Sequence, residues 1–145
     1  SLDAFSNAQV TVTGFVNAPG IYNTTSVSSV KNILISAHGV GEVGSVRNIQ
    51  IKRGGSVIKA IDFYNLISQG LDGGDFVLKP NDVVHIPRAD GLVTITGSVY
   101  KEAIYEITSG ETLWSILSFA GGLKPDADGL SISVKRYARN SQIQN

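Results

Sequence analysis

Val10-Thr11-Val12-Thr13-Gly14, followed by Ile21-Tyr22, recurs as Val93-Thr94-Ile95-Thr96-Gly97, followed by Ile104-Tyr105. The offset of 83 residues holds without a gap as far as Lys52-Arg53 against Lys135-Arg136. About sixteen of some forty-four paired positions are identical, among them Thr25 with Thr108, Ser26 with Ser109, Ile33-Leu34 with Ile116-Leu117, and Ala37 with Ala120. Self-similarity at one fixed offset decides the architecture before any single residue is read, because both copies must bury the same positions in the same way. The chain carries two copies of one module.

Working outward from that stretch, Gln9 to Val16 sets Val10, Val12, Gly14 and Val16 against Thr11, Thr13 and Phe15, the period-two pattern of a half-buried strand. Asn17-Ala18-Pro19-Gly20 reads as a tight turn, with Ile21-Tyr22-Asn23 returning as the second strand. Ser26 is the expected helix N-cap, and Val27, Val30, Ile33, Leu34 and Ala37 follow as one buried helical stripe ended by Gly39. Asn48 to Arg53 alternates again, Gly54-Gly55 turns the chain, and Val57 to Ile61 makes a fourth strand. A short helix capped by Asp62 runs to Gln69 before Gly70, and Val83 to Pro87 forms the last strand after the turn at 78–82.

Strand, hairpin, strand, helix and then further strands on that helix predict an α+β roll with a mixed sheet, the order of a ubiquitin-like β-grasp. Copy two repeats the first half only. Its hairpin spans 92–107, Ser109 caps a helix with the stripe Leu113, Ile116, Leu117 and Ala120, and Ser131 to Arg136 is its third strand. The expected organisation is therefore a first β-grasp module at 9–88, a linker at 89–91, and a second, truncated module at 92–145. Nothing in copy two corresponds to Asp62 through Pro87, so either the module was cut or its missing strand comes from elsewhere, and an unfilled sheet position invites pairing with another chain.

Twelve basic and twelve acidic residues give a formal net charge of zero, and only 17% of residues are charged, which removes the electrostatic footprint of a nucleic-acid binder. The absence of cysteine excludes disulfides, thiolate metal sites, iron–sulfur clusters and cysteine nucleophiles. Methionine is absent too, so the chain is not expected to start at its own initiator, and Ser1-Leu2 reads as a cloning remnant. No apolar run reaches the roughly 18 to 20 residues that span a bilayer, so these residues are expected to be soluble.

Gly39-Val40-Gly41-Glu42-Val43-Gly44 spells a G-x-G-x-x-G string with Asp62 downstream, but it closes a helix and precedes a strand, the reverse of a dinucleotide loop. It reads as a helix cap and turn, which the loss of the later glycines in copy two supports. His38 and His85 stand apart, without a second histidine or a carboxylate at ligand spacing, so no metal site is expected. Asp72, Asp75, Asp82, Asp126 and Asp128 all lie in turns, where aspartate serves the backbone, and no nucleophile elbow is present. Asn23-Thr24-Thr25 matches a glycosylation sequon and is read as ordinary loop sequence. No catalytic set and no cofactor site is legible.

Trp114 aligns with Lys31, off the buried stripe, and so is expected on the outer face of its helix. Packing against module one or the C-terminal segment is the plainer expectation; an interface or a sugar-stacking platform, with Tyr100 and Tyr137, is the sharper one. Arg53 and Arg136 end the third strand of each copy, where they would solvate an edge or offer cations to acidic sugars or a partner.

The string Val12-Thr13-Gly14-Phe15-Val16-Asn17-Ala18-Pro19-Gly20-Ile21-Tyr22 and the segment Ala120-Gly121-Gly122-Leu123-Lys124-Pro125-Asp126-Ala127 resemble the soluble-ligand-binding β-grasp (SLBB) domain. Leu78-Lys79-Pro80-Asn81-Asp82-Val83-Val84-His85-Ile86-Pro87 is similar to the ending seen in polysaccharide export proteins, with Asn81 where glycine is usual. Copy two departs from the pattern at its hairpin tip, where Lys101-Glu102-Ala103 replaces Ala18-Pro19-Gly20.

The resemblance implies a non-enzymatic segment of a bacterial capsule or exopolysaccharide export protein. Such a protein would be periplasmic, attached to the outer membrane through other parts, and would form a ring of its own copies working with polysaccharide and inner-membrane export components. On that reading the hairpins contribute contacts at Asn17, Pro19, Tyr22, Tyr100 and Tyr105, beside Trp114, Tyr137, Arg53 and Arg136. The alternatives are a stand-alone carbohydrate-binding module, or a β-grasp domain of a larger redox enzyme subunit.

Overall fold

A computed structural model describes residues 8–24, 28–65, 76–125, 129–137 and 143–144. The fold is mixed α+β, and the chain divides into two compact units at Arg88/Ala89.

Unit 1 contains β1 (Ala8–Gly14), β2 (Gly20–Thr24), β3 (Ser28–Ser29), α1 (Val30–Ser36), β4 (Ile49–Arg53), β5 (Ser56–Ile61), β6 (Val77–Leu78) and β7 (Val83–Ile86). Its main sheet has the order β2-β1-β7-β4-β5. All neighbours are antiparallel except β1 and β7, which run parallel with Thr11 opposite Val83 and Gly14 opposite Ile86. The alternation read in the sequence puts Val10 and Val12, Ile49 and Ile51, and Val84 and Ile86 on one buried face, where they meet Val30, Ile33, Leu34 and Ala37 of α1.

The helix starts later than expected. Ser26 and Val27 lie outside the described residues, and the N-cap is Ser29, whose hydroxyl accepts a hydrogen bond from Asn32 N at 3.2 Å. Ser28 and Ser29 are held extended by pairing with β6, so the chain cannot turn helical before Val30. Asp62 does cap a helical turn at 63–65, accepting from Tyr64 N at 2.9 Å, whereas the expected stop at Gly70 lies outside the described residues.

Unit 2 contains β8 (Gly91–Gly97), β9 (Ala103–Ile107), α2 (Leu113–Phe119), β10 (Leu130–Tyr137) and β11 (Ile143–Gln144). The elements β1, β2 and α1 map onto β8, β9 and α2 at the 83-residue offset, residue for residue. Smaller devices repeat as well. Tyr22 Oη donates to Ala18 O and Tyr105 Oη donates to Lys101 O, and the bridge Val16–Val40 recurs as Val99–Leu123. The N-cap is Thr112 rather than Ser109, because Glu111 Oε1 accepts from Thr108 N at 3.1 Å and closes a turn that delays the helix.

The sheets then diverge. Unit 2 has the order β11-β10-β8-β9, every pair antiparallel. The expected strand at Ser131 to Arg136 exists, but it lies directly on β8, in the place that β7 occupies beside β1 in unit 1. The stripe also changes: Ile116, Leu117 and Ala120 are buried, while Leu113 is 39% exposed where its counterpart Val30 is 0%. Val30 is covered by the β3–β6 pair, its N–H donating to Phe76 O, and unit 2 has no such pair among its described residues.

Candidate functional site

The candidate contacts fall on the hairpin tips, the outer face of α2 and the ends of β4 and β10. At the first tip Asn17 and Pro19 are exposed. Asn17 Nδ2 donates to His38 O at 2.7 Å, and Asn17 N donates to Gly39 O at 3.1 Å, so the tip is tied to the exit of α1. Tyr22 lies half-buried against the core, with its phenol spent on Ala18 O. Phe15 is exposed on one side and holds the Arg88 guanidinium 5.1 Å from its ring centroid.

At the second tip Tyr100 is exposed, and a Cβ added at Gly121 would stand 3.0 Å from Tyr100 Cβ, so the ring overlies the left-handed exit of α2. Tyr105 is half-buried like Tyr22, and burial pushes its phenol pKa up. Trp114 is 75% exposed, which agrees with its expected outer position. Ser118 lies one helical turn beyond Trp114 on the same exposed side of α2. Ile21 and Ile104, paired by the repeat, are 66% and 63% exposed, an apolar position kept outside in both hairpins.

The two arginines have different fates. Arg53 Nε and Nη2 donate to the two carboxylate oxygens of Asp82, each at 2.8 Å, and Asp82 also accepts from Lys79 N at 2.8 Å. The Asp82 side chain is fully buried, and the Arg53 hydrogen bonds hold its carboxyl below the usual range. Asp82 thus fixes the entry to β7, a role that its turn setting in the sequence does not reveal. Arg136 is exposed on β10 and meets no carboxylate among the described residues. Tyr137 ends β10.

The glycine-rich string behaves as a helix exit. Gly39 N donates to Leu34 O and Gly41 N to Phe15 O, and a Cβ at Gly44 would fall 2.3 Å from Phe15 O. Its amides are engaged by protein carbonyls and its glycines allow close backbone approach, which leaves no cradle for phosphate. His38 takes a left-handed conformation, φ 63°, at the helix end, the place held by Gly121 in unit 2. His85 Nδ1 lies 2.7 Å from Thr13 Oγ1, across the β1–β7 pair. Burial and then Lys52 hold its pKa below 6.5, favouring a neutral ring.

An SLBB-domain family model matches residues 8–86, and a second SLBB-domain model matches residues 92–144. Two curated Escherichia coli proteins, both called polysialic acid transport protein KpsD, are each 32% identical to this chain over 130 residues. The match covers 88% of this chain and 23% of each relative, so the chain spans under a quarter of their length. Among the described residues, no helix is long and apolar enough to cross a membrane. With a model matched in each unit and the similarity running through both, this chain belongs to the SLBB-domain family, as two tandem SLBB domains related to a polysaccharide export protein.

Proposed function

We propose that the chain is a non-enzymatic segment of a bacterial capsule or exopolysaccharide export protein. It works in the periplasm as part of an oligomeric translocation assembly held at the outer membrane. The observation that carries this reading is the similarity to a polysialic acid transport protein over 88% of the chain, through both units. The strand order β2-β1-β7-β4-β5, with the parallel pair at its centre and α1 on one face, supports reading unit 1 as a β-grasp, and unit 2, after a linker at 89–90, as a second copy of its hairpin and helix.

In this assembly the hairpins are the contact elements. Asn17 and Pro19 present one tip, Tyr100 the other, with Tyr22 and Tyr105 bracing each tip from behind. Ile21 and Ile104 offer matched apolar positions, so neighbouring copies of the ring can bury them. Arg136, exposed on β10, presents a cation to acidic sugar or to an inner-membrane export component. The test is the mass of the full-length protein in solution. It should assemble into a defined oligomer that Ile21→Glu together with Ile104→Glu reduces to monomer; an obligate monomer in the wild type would overturn the reading.

Trp114 and Tyr100 favour a second reading, direct stacking of sugar rings along α2 as in a carbohydrate-binding module. Saturable binding of acidic oligosaccharide by the 145-residue chain, abolished in Trp114→Ala, would establish it. Equal binding by the variant would remove it.

A further inference from the structure

The alternation that buries one face of the unit 1 sheet against α1 turns a second set of residues the other way. Val10, Val12, Ile49, Ile51, Val84 and Ile86 are buried. Thr11 and Thr13 of β1, Gln50 and Lys52 of β4, and Val83 and His85 of β7 lie between them in sequence and share the opposite face, each half-buried. The strand registers set this face in two rows. One runs Ile21, Thr11, Val83, Lys52, Val57, and the other Thr13, His85, Gln50, Ala60. The longer row crosses the whole sheet from β2 to β5, about 19 Å at the usual strand spacing.

No member of either row is acidic. Arg53 is neutralised by Asp82 and Arg47 by Asp62, but the Lys52 ammonium has no ion pair or hydrogen bond among the described residues. His85 spends Nδ1 on Thr13 Oγ1 at 2.7 Å, while its Nε2 and the Gln50 amide have no hydrogen bond among the described residues. The face therefore offers an ammonium, an imidazole and neutral hydroxyl and amide groups, with exposed Ile21 and Val57 at its two margins. This set suits a ligand that carries carboxylates among many hydroxyls.

We propose that the outer face of the unit 1 sheet binds a carboxylate-bearing polysaccharide, with Lys52 and His85 Nε2 meeting the carboxylate and Thr11 and Gln50 the neighbouring sugar hydroxyls. The ligand class rests on the export reading; the site is new to it. Binding also changes the ring's protonation. β1 turns Thr11 and Thr13 towards His85 and β4 turns Gln50 and Lys52, so Lys52 is the one charge on this face beside it. Burial and then Lys52 favour the neutral ring in the free protein. A bound carboxylate offsets Lys52, the imidazole takes up a proton, and the ligand is held by two cations. Affinity therefore rises as pH falls.

The isotope-labelled 145-residue chain is titrated by NMR with tetramers of sialic acid and of galacturonic acid, against neutral maltotetraose and a hexaglutamate peptide. Both acidic sugars should bind saturably and shift Thr11, Thr13, Gln50, Lys52, Val83 and His85, leaving Trp114 unmoved. Lys52→Gln should weaken binding about ten-fold, the worth of one hydrogen bond to a charged group, and Lys52→Arg should retain it. Affinity should rise about three-fold from pH 7.5 to pH 5.5, and the titration of the His85 ring resonances should move to higher pH when sugar is bound. His85→Gln should remove that rise, with the α1 and β5 resonances in place as the folding control. The proposal is overturned by no saturable binding of either acidic sugar, equal binding of maltotetraose or hexaglutamate, shifts confined to unit 2, or a His85 titration that sugar leaves in place. None of these outcomes alters the mass of the full-length assembly, and a monomeric full-length protein would not alter the binding, so this site and the export reading fail separately.

Discussion

Units 1 and 2 begin with the same hairpin and the same seven-residue helix, at one constant offset, and end with different sheets. In unit 1, β4 stands two places from β1 because β7 comes between them; in unit 2, β10 lies against β8 with its alternation intact. The difference teaches that the amphipathic pattern of a strand settles which face it buries and leaves its neighbour open. Period-two alternation suits any antiparallel partner of matching length, and the choice among partners falls to whichever strands complete the core.

The comparison is broken most forcefully at Asp82. Asp82→Ala removes a buried carboxylate that accepts three hydrogen bonds, two of them from a guanidinium, and should cost unit 1 roughly 1.5–3 kcal/mol. Arg136→Ala should leave unit 2 within about 0.5 kcal/mol. Urea unfolding separates the two, because the single tryptophan, Trp114, reports unit 2 while hydrogen exchange in β1 and β7 reports unit 1. An equal loss from both changes would mean that the arginines are equivalent after all.

Next in size is the pair Val30 and Leu113. Val30→Ala should destabilise unit 1 by about 2 kcal/mol, since a fully buried valine loses its methyl contacts and leaves a cavity. Leu113→Ala, although the larger deletion, should cost unit 2 less than about 1 kcal/mol in the chain alone, because the side chain is already partly in water.

Acid sharpens the same contrast. The Arg53 hydrogen bonds depress the folded-state pKa of Asp82 below its ordinary 3.8, so this carboxylate's contribution is present above that value and is lost as pH falls through the folded pKa. Unit 1 should therefore lose stability below about pH 4 more steeply than unit 2, and Asp82→Asn should flatten the difference in unfolding midpoints measured between pH 6 and pH 2.

The smallest effect should be a matched one. Tyr22→Phe and Tyr105→Phe each delete a phenol bond to the hairpin-tip carbonyl four residues back, and each should cost about 1 kcal/mol in its own unit by urea unfolding. Unequal losses would show that the two tips are braced differently despite their shared geometry.

The placement of some candidate residues is legible in the sequence. The alignment with Lys31 puts Trp114 on the outer face, and the position of the glycine-rich string after α1 makes it a helix exit. The start of α2 lies three residues beyond the cap that the sequence favours, because Ser109 and Thr112 are both competent caps and the choice turns on Glu111 closing a turn over Thr108. Asp82 could not be read as the partner of Arg53, for the two are 29 residues apart and meet only when β7 enters beside β4.

The sequence by itself determined the two copies, the hairpins, the helical stripe and the glycines at the turns, because these depend on period, offset and local backbone freedom. Only the tertiary structure decided which strand lies beside β1 and which beside β8, and so whether an arginine has a carboxylate and a helix residue has a cover. Those outcomes depend on which strands compete for one buried edge, and that competition is settled by packing over the whole unit.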